Sequence, residues 1–131
     1  MNDITVHNHL AIPTLISVLG LVTMVICRKR LFRSDKWLWT SLTVFLVVYL
    51  FIVGSAMYDD IYYQWDLNRY DLDKDGLFGG EEITKDQEAA MQRLTSDVGR
   101  NFSFITGFIF ALIVAGAVYI LGRLKSKLIK S

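Results

Sequence analysis

The sequence predicts an all-α membrane protein of three transmembrane helices, with one helix–loop–helix insert between the second and the third. Three observations carry that prediction. Three uncharged apolar runs, over residues 10–27, 37–57 and 102–121, each match the roughly 20 helical residues that a hydrocarbon core of about 30 Å requires. Basic and acidic residues are segregated around those runs. The 131-residue chain is 53% hydrophobic with a mean hydropathy of +0.36, more apolar than a soluble core of that size accounts for, so the excess is assigned to lipid. The runs are continuous and too few for a closed β-barrel, which needs many alternating strands.

The first run follows a stretch without Lys or Arg and has no small-residue cleavage site ahead of Arg28, Lys29 and Arg30, so it reads as a retained anchor. Its Pro13, the chain's one proline, falls in the first helical turn, where a missing N–H costs least. His7 and His9 precede it and read as residues of a mobile terminus rather than metal ligands. A single cysteine, Cys27, excludes an internal disulfide and a thiolate metal cluster. Asp35, or Ser34 before it, is placed to cap the second helix. Trp37 and Trp39 mark one interface of that span, and Tyr58, Tyr62 and Tyr63 mark the other. Asp59 and Asp60, just beyond it, read as solvated interfacial carboxylates rather than a ring at a pore mouth. The third span carries Gly107, Ala111 and Ala115 four apart, and Ser17, Gly20 and Thr23 make a weaker stripe on the first. Such small residues let helices approach closely, within the chain or between copies.

Orientation follows from where Lys and Arg fall around short loops. The first connection holds Arg28, Lys29, Arg30, Arg33 and Lys36 against Asp35 alone, and the segment after the third span holds Arg123, Lys125, Lys127 and Lys130 with no acid. Both are expected in the cytoplasm. Residues 58–100 hold eleven acidic residues against five Lys and Arg, and the stretch before the first span holds no Lys or Arg. Both are expected outside. The N-terminus is thereby placed outside and the C-terminus inside, as an odd number of spans requires, in a plasma membrane or a bacterial inner membrane. With no internal repeat or flexible linker, residues 1–131 read as one membrane domain, with residues 58–100 as its extracytoplasmic insert.

That insert carries the chemistry. Counting from Asp71, carboxylates stand at positions 1 (Asp71), 3 (Asp73), 5 (Asp75) and 12 (Glu82), with Gly76 at position 6. A hard divalent cation favours several oxygen ligands, and Gly76 permits the sharp turn that wraps the loop. Tyr63, Leu67 and Tyr70 share one face of the helix leading in. The pattern resembles the calcium loop of the EF-hand family. The resemblance implies a calcium ion held by Asp71, Asp73, Asp75, the Leu77 carbonyl, a water beside Gly79 and both oxygens of Glu82. It also implies that Phe78, at position 8, meets the corresponding residue of a second loop, here that of a symmetry mate. Magnesium fits such a flexible, carboxylate-rich set poorly.

No Ser-His-Asp set, phosphate-binding glycine loop or catalytic acid pair is present, so an enzyme is not expected, and nothing points to nucleic acid. The absence of charge inside the runs disfavours a proton-coupled transporter. Three functional classes stay open: a calcium sensor or regulatory subunit of a larger membrane complex, a homo-oligomeric calcium-gated ion channel or holin-like pore, and a scaffold with structural calcium. In the first, external calcium alters the packing of the second span against the third.

Overall fold

The computed structural model describes residues 4–31 and 35–130. Residues 1–3, Phe32, Arg33, Ser34 and Ser131, and the side chains of Arg28, Lys29, Arg30, Leu31 and Lys130, lie outside the described residues. Among the described residues all regular structure is helical: α1 (Asn8–Leu31), α2 (Lys36–Asn68), α3 (Lys85–Thr95) and α4 (Val98–Lys130), with one 3₁₀ turn at Gly80–Glu82. Three helical segments are long and apolar enough to cross a membrane, and α1, α2 and α4 each contain one of the three apolar runs whole. Asp35 caps α2, its Oδ1 accepting from the N–H groups of Trp37 and Leu38 at 3.1 Å each.

At 33 residues, α2 and α4 are each about 50 Å long, well beyond a hydrocarbon core of about 30 Å. The α2 apolar run begins at its first turn, so the surplus of α2 projects at the far end, towards the insert. α2 is the central helix: it packs against both α1 and α4, while α1 and α4 meet only briefly. Leu10, Val53 and Ala111 are fully buried, with Tyr49 and Ala56 beside them. Phe45 stacks on Tyr49, Phe108 meets both edge-on, and the Tyr49 hydroxyl donates to the Phe104 carbonyl at 3.0 Å. Only 17% of each span's apolar window is buried, so the large aliphatic side chains mostly face outward, as a lipid-facing surface requires.

The bundle is closed by small residues. A Cβ on Gly107 would lie 2.7 Å from Ile52 Cγ2, and the Ser41 hydroxyl donates to the Ala115 carbonyl at 2.7 Å, so the stripe on α4 packs against α2 of the same chain. On α1, Ser17 is buried and Gly20 sits against Leu46. The tightest approach is at Gly122, where an added Cβ would fall 2.1 Å from the Trp37 ring. There the indole Nε1 donates to Ser126 Oγ at 2.6 Å. Gly122→Ala is therefore expected to displace the indole and destabilise the bundle by about 1–3 kcal/mol, as overpacking does. Gly116→Ala, with nothing within 4 Å of the new methyl, is expected to be neutral or stabilising. Thermal unfolding of the two variants in the same detergent distinguishes them.

Candidate metal centre

α2 ends at Asn68 with a tightening turn, in which the N–H of Tyr70 donates to the Leu67 carbonyl at 3.0 Å. Buried Leu67 fixes that end against the rest of the fold. α3 opens with Thr84, whose side chain accepts from the Gln87 N–H at 3.2 Å, and lies along α2 through buried Gln87 and Ala90. Arg93 Nη1 reaches Asp66 Oδ2 at 3.6 Å, so α3 is pinned beside the last turn of α2. Between these fixed ends runs the acidic loop.

Backbone N–H groups set the loop's carboxylates. Asp71 Oδ2 accepts from Gly76 N–H at 3.1 Å, which needs the positive φ of 85° that glycine adopts without strain. Asp73 accepts from Asp75 N–H at 3.1 Å, and Asp75 from Leu77 N–H at 2.7 Å. Glu82 reaches back across the loop: Oε1 accepts from Leu72 N–H at 2.6 Å and Asp73 N–H at 3.3 Å, and Oε2 from Gly79 N–H at 3.2 Å. These bonds gather one oxygen each of Asp71, Asp73 and Glu82 within 4.8 Å of one another. Two oxygens on one calcium ion, each 2.3–2.6 Å away, stand no more than about 5 Å apart, so the spacing suits a shared cation.

Three of the six predicted site residues are thus brought together. Of the four predicted carboxylates only Asp75 is outside that cluster, one of its oxygens being turned to Leu77 N–H; Leu77, expected to act through its carbonyl, has an exposed side chain, and Gly79, expected beside a water, is extended. Asp71 is buried, whereas Asp73 is exposed. The Asp73 carboxyl lies above the usual aspartate range. The N–H of Asp75 pulls it down, but lost solvation and the negative charges of Asp75, Glu82 and Asp71 outweigh that bond. Phe78 is half-buried and shares a groove with Ile83, Gln87 and Met91 of its own chain.

A second polar assembly lies where the N-terminal arm, α2, α3 and α4 converge, and here the structure corrects two sequence expectations. Asp60 is not a solvated carboxylate: it is 2% exposed, while Asp59 is exposed. Nor is His7 merely part of a mobile arm, because its Nδ1 lies 2.8 Å from Asp60 Oδ2. An ionised carboxylate only accepts, so Nδ1 carries the proton of this bond. Gln64 Nε2 donates to the same oxygen at 3.0 Å and to the Thr5 carbonyl at 2.9 Å, and its Oε1 accepts from Thr5 N–H at 2.9 Å. His9 packs its ring against Phe104. Arg100, unremarked in the sequence, is equally buried. Its Nε is 3.5 Å from Asp60 Oδ1, its Nη2 donates to the Leu94 carbonyl at the end of α3, and its guanidinium lies over the Tyr63 ring. Arg100 therefore joins α2, α3 and α4 at one point. Comparison with protein-family models, curated proteins and solved structures finds no match for this chain.

Proposed function

We propose that this is a calcium-binding membrane protein, a sensor or regulatory subunit in which extracytoplasmic calcium resets the packing of α2 against α4. The observation that carries the reading is the convergence of Asp71, Asp73 and Glu82 oxygens within 4.8 Å, on a loop strung between one membrane-length helix and the segment leading to another. Without metal the three carboxylates repel one another while accepting backbone N–H bonds. Calcium replaces that repulsion with attraction, and Asp75, the Leu77 carbonyl and a water beside Gly79 complete the shell. Helix pairs flanking sensor loops of this kind change their mutual angle on binding. Any movement of α3 acts on Arg100 through the Leu94 carbonyl, and on Asp60 of α2 through Arg100. The charge distribution supports an external loop, where calcium is abundant and a dissociation constant of about 10⁻⁴–10⁻³ M is sufficient.

Calorimetric titration of the full chain in detergent near neutral pH is expected to give one calcium ion per chain. Interhelical distances from spin labels on the loop-proximal ends of α2 and α4 are expected to change with it. No calcium heat overturns the metal reading; binding that raises thermal stability with unchanged distances makes the ion structural. Acidification through the raised Asp73 range is expected to weaken binding, because proton and metal compete for the same carboxylate. The metal-free fold responds with the opposite sign. Asp73 binds its proton more tightly folded than unfolded, so its own contribution to the stability of the metal-free fold grows as pH falls through that range.

A further inference from the structure

At the end of the bundle remote from the acidic loop, α4 continues as helix over residues 122–130, about 13 Å past its apolar run. Leu124 and Leu128 stand there 52% and 79% exposed, interleaved with the exposed cations Arg123, Lys125 and Lys127. Such a surface suits neither bulk water, which would meet the leucines, nor hydrocarbon, which would meet the charges. Only the headgroup layer satisfies both.

Within it the residues form a defined site. Arg123 and Lys127 lie four apart on one column of the helix, Ile120 and Leu124 on the adjacent column, and with Tyr119 they line a shallow groove of about 300 Å³. The Arg123 guanidinium is held over the Tyr119 ring, with Nη1 3.4 Å from Asp35 Oδ2. The Trp37 indole, seated on Gly122 and bonded to Ser126, fixes this stretch of α4 to the start of α2. Among the described residues Asp35 is the one acid near this end, against Arg123, Lys125 and Lys127 on α4 alone.

We propose that this groove binds an anionic phospholipid, with the phosphate between Arg123 and Lys127 and the glycerol ester region on Ile120 and Leu124. Paired basic side chains just beyond a span recognise negative headgroups by charge, and the apolar column adds a preference for lipid over free anion. The site does not depend on the metal loop or on which leaflet it faces.

Native mass spectrometry of the full chain in neutral detergent, titrated with phosphatidylglycerol or phosphatidylcholine of equal chain length, tests it. Wild type is expected to retain one phosphatidylglycerol about tenfold more tightly than phosphatidylcholine. Arg123→Gln with Lys127→Gln is expected to abolish the difference, and Lys127→Gln alone to reduce it. Arg69→Gln with Lys85→Gln, which removes equal charge at the other end, is expected to leave it intact. The proposal is overturned by equal affinity for the two lipids, by an equal loss in the Arg69 and Lys85 control, or by displacement of phosphatidylglycerol with an equimolar amount of inorganic phosphate.

Discussion

Glu82→Gln is expected to weaken calcium binding about 100-fold or more while leaving the spans helical and the chain folded. Residues that merely orient a metal ligand are worth about 10- to 100-fold in affinity, and Glu82 is assigned as a ligand closing the site with two oxygens. The amide keeps one acceptor and loses the charge. Its NH₂ group also faces a donor, since Oε1 and Oε2 both accept N–H bonds in the metal-free loop. Bonds to a charged acceptor are worth about 1.5–3 kcal/mol each, so the metal-free loop loosens as well, although these bonds lie at its exposed surface and sit at the low end of that range. Glu81→Gln is the matched control: Glu81 is exposed, and its oxygen is not in the cluster. Calorimetry on the two variants separates a specific site from general acidity, because equal loss in both would mean that only the net charge matters.

The two candidate assemblies differ in how openly the sequence displays them, and the difference is physical. The acidic loop is local. Its bonds join residues no more than ten apart, so the spacing of Asp71, Gly76 and Glu82 already contains its geometry. Spans are local too, because continuous apolarity needs no partner to be recognised. The polar cluster at the head of the bundle depends on contacts such as His7 with Asp60, 53 residues apart, which no window along the chain reveals. One signal was nonetheless present. Tyr49, Val53, Ala56, Asp60, Gln64 and Leu67 follow one another at intervals of three and four, and all are buried. A carboxylate continuing the core stripe of a helix is unlike one placed at random beyond a span, and it requires a buried cation. Arg100, in the first turn of α4, is that cation. The basic residues around the short segments suggested topology alone; the register of Arg123, Lys127, Ile120 and Leu124 on one face became visible only with the helix extended past the apolar run.

Arg100→Met is expected to destabilise the protein by about 3–5 kcal/mol, the range for removing one member of a buried ion pair. Methionine fills much of the volume, so the loss is of polar partners: Asp60 stays buried with only the His7 and Gln64 bonds to offset its charge, and the Leu94 carbonyl loses its bond from Arg100. His7→Ala is expected to cost far less, since that ring is half exposed and water can take its place. Asp60→Asn together with Arg100→Met removes the charge along with its partner, and is expected to recover about 1–3 kcal/mol relative to the sum of the single changes. Chemical unfolding of the four proteins in one lipid–detergent mixture supplies this cycle, and additivity would mean that the 3.5 Å approach contributes nothing. The same variants address transmission from the loop. Asp71, Asp73 and Glu82 do not touch Arg100, so a folded Asp60→Asn, Arg100→Met protein is expected to bind calcium with near-normal affinity. If Arg100 is the link between α3 and the spans, calcium then no longer changes the distance between α2 and α4, and binding is separated from response.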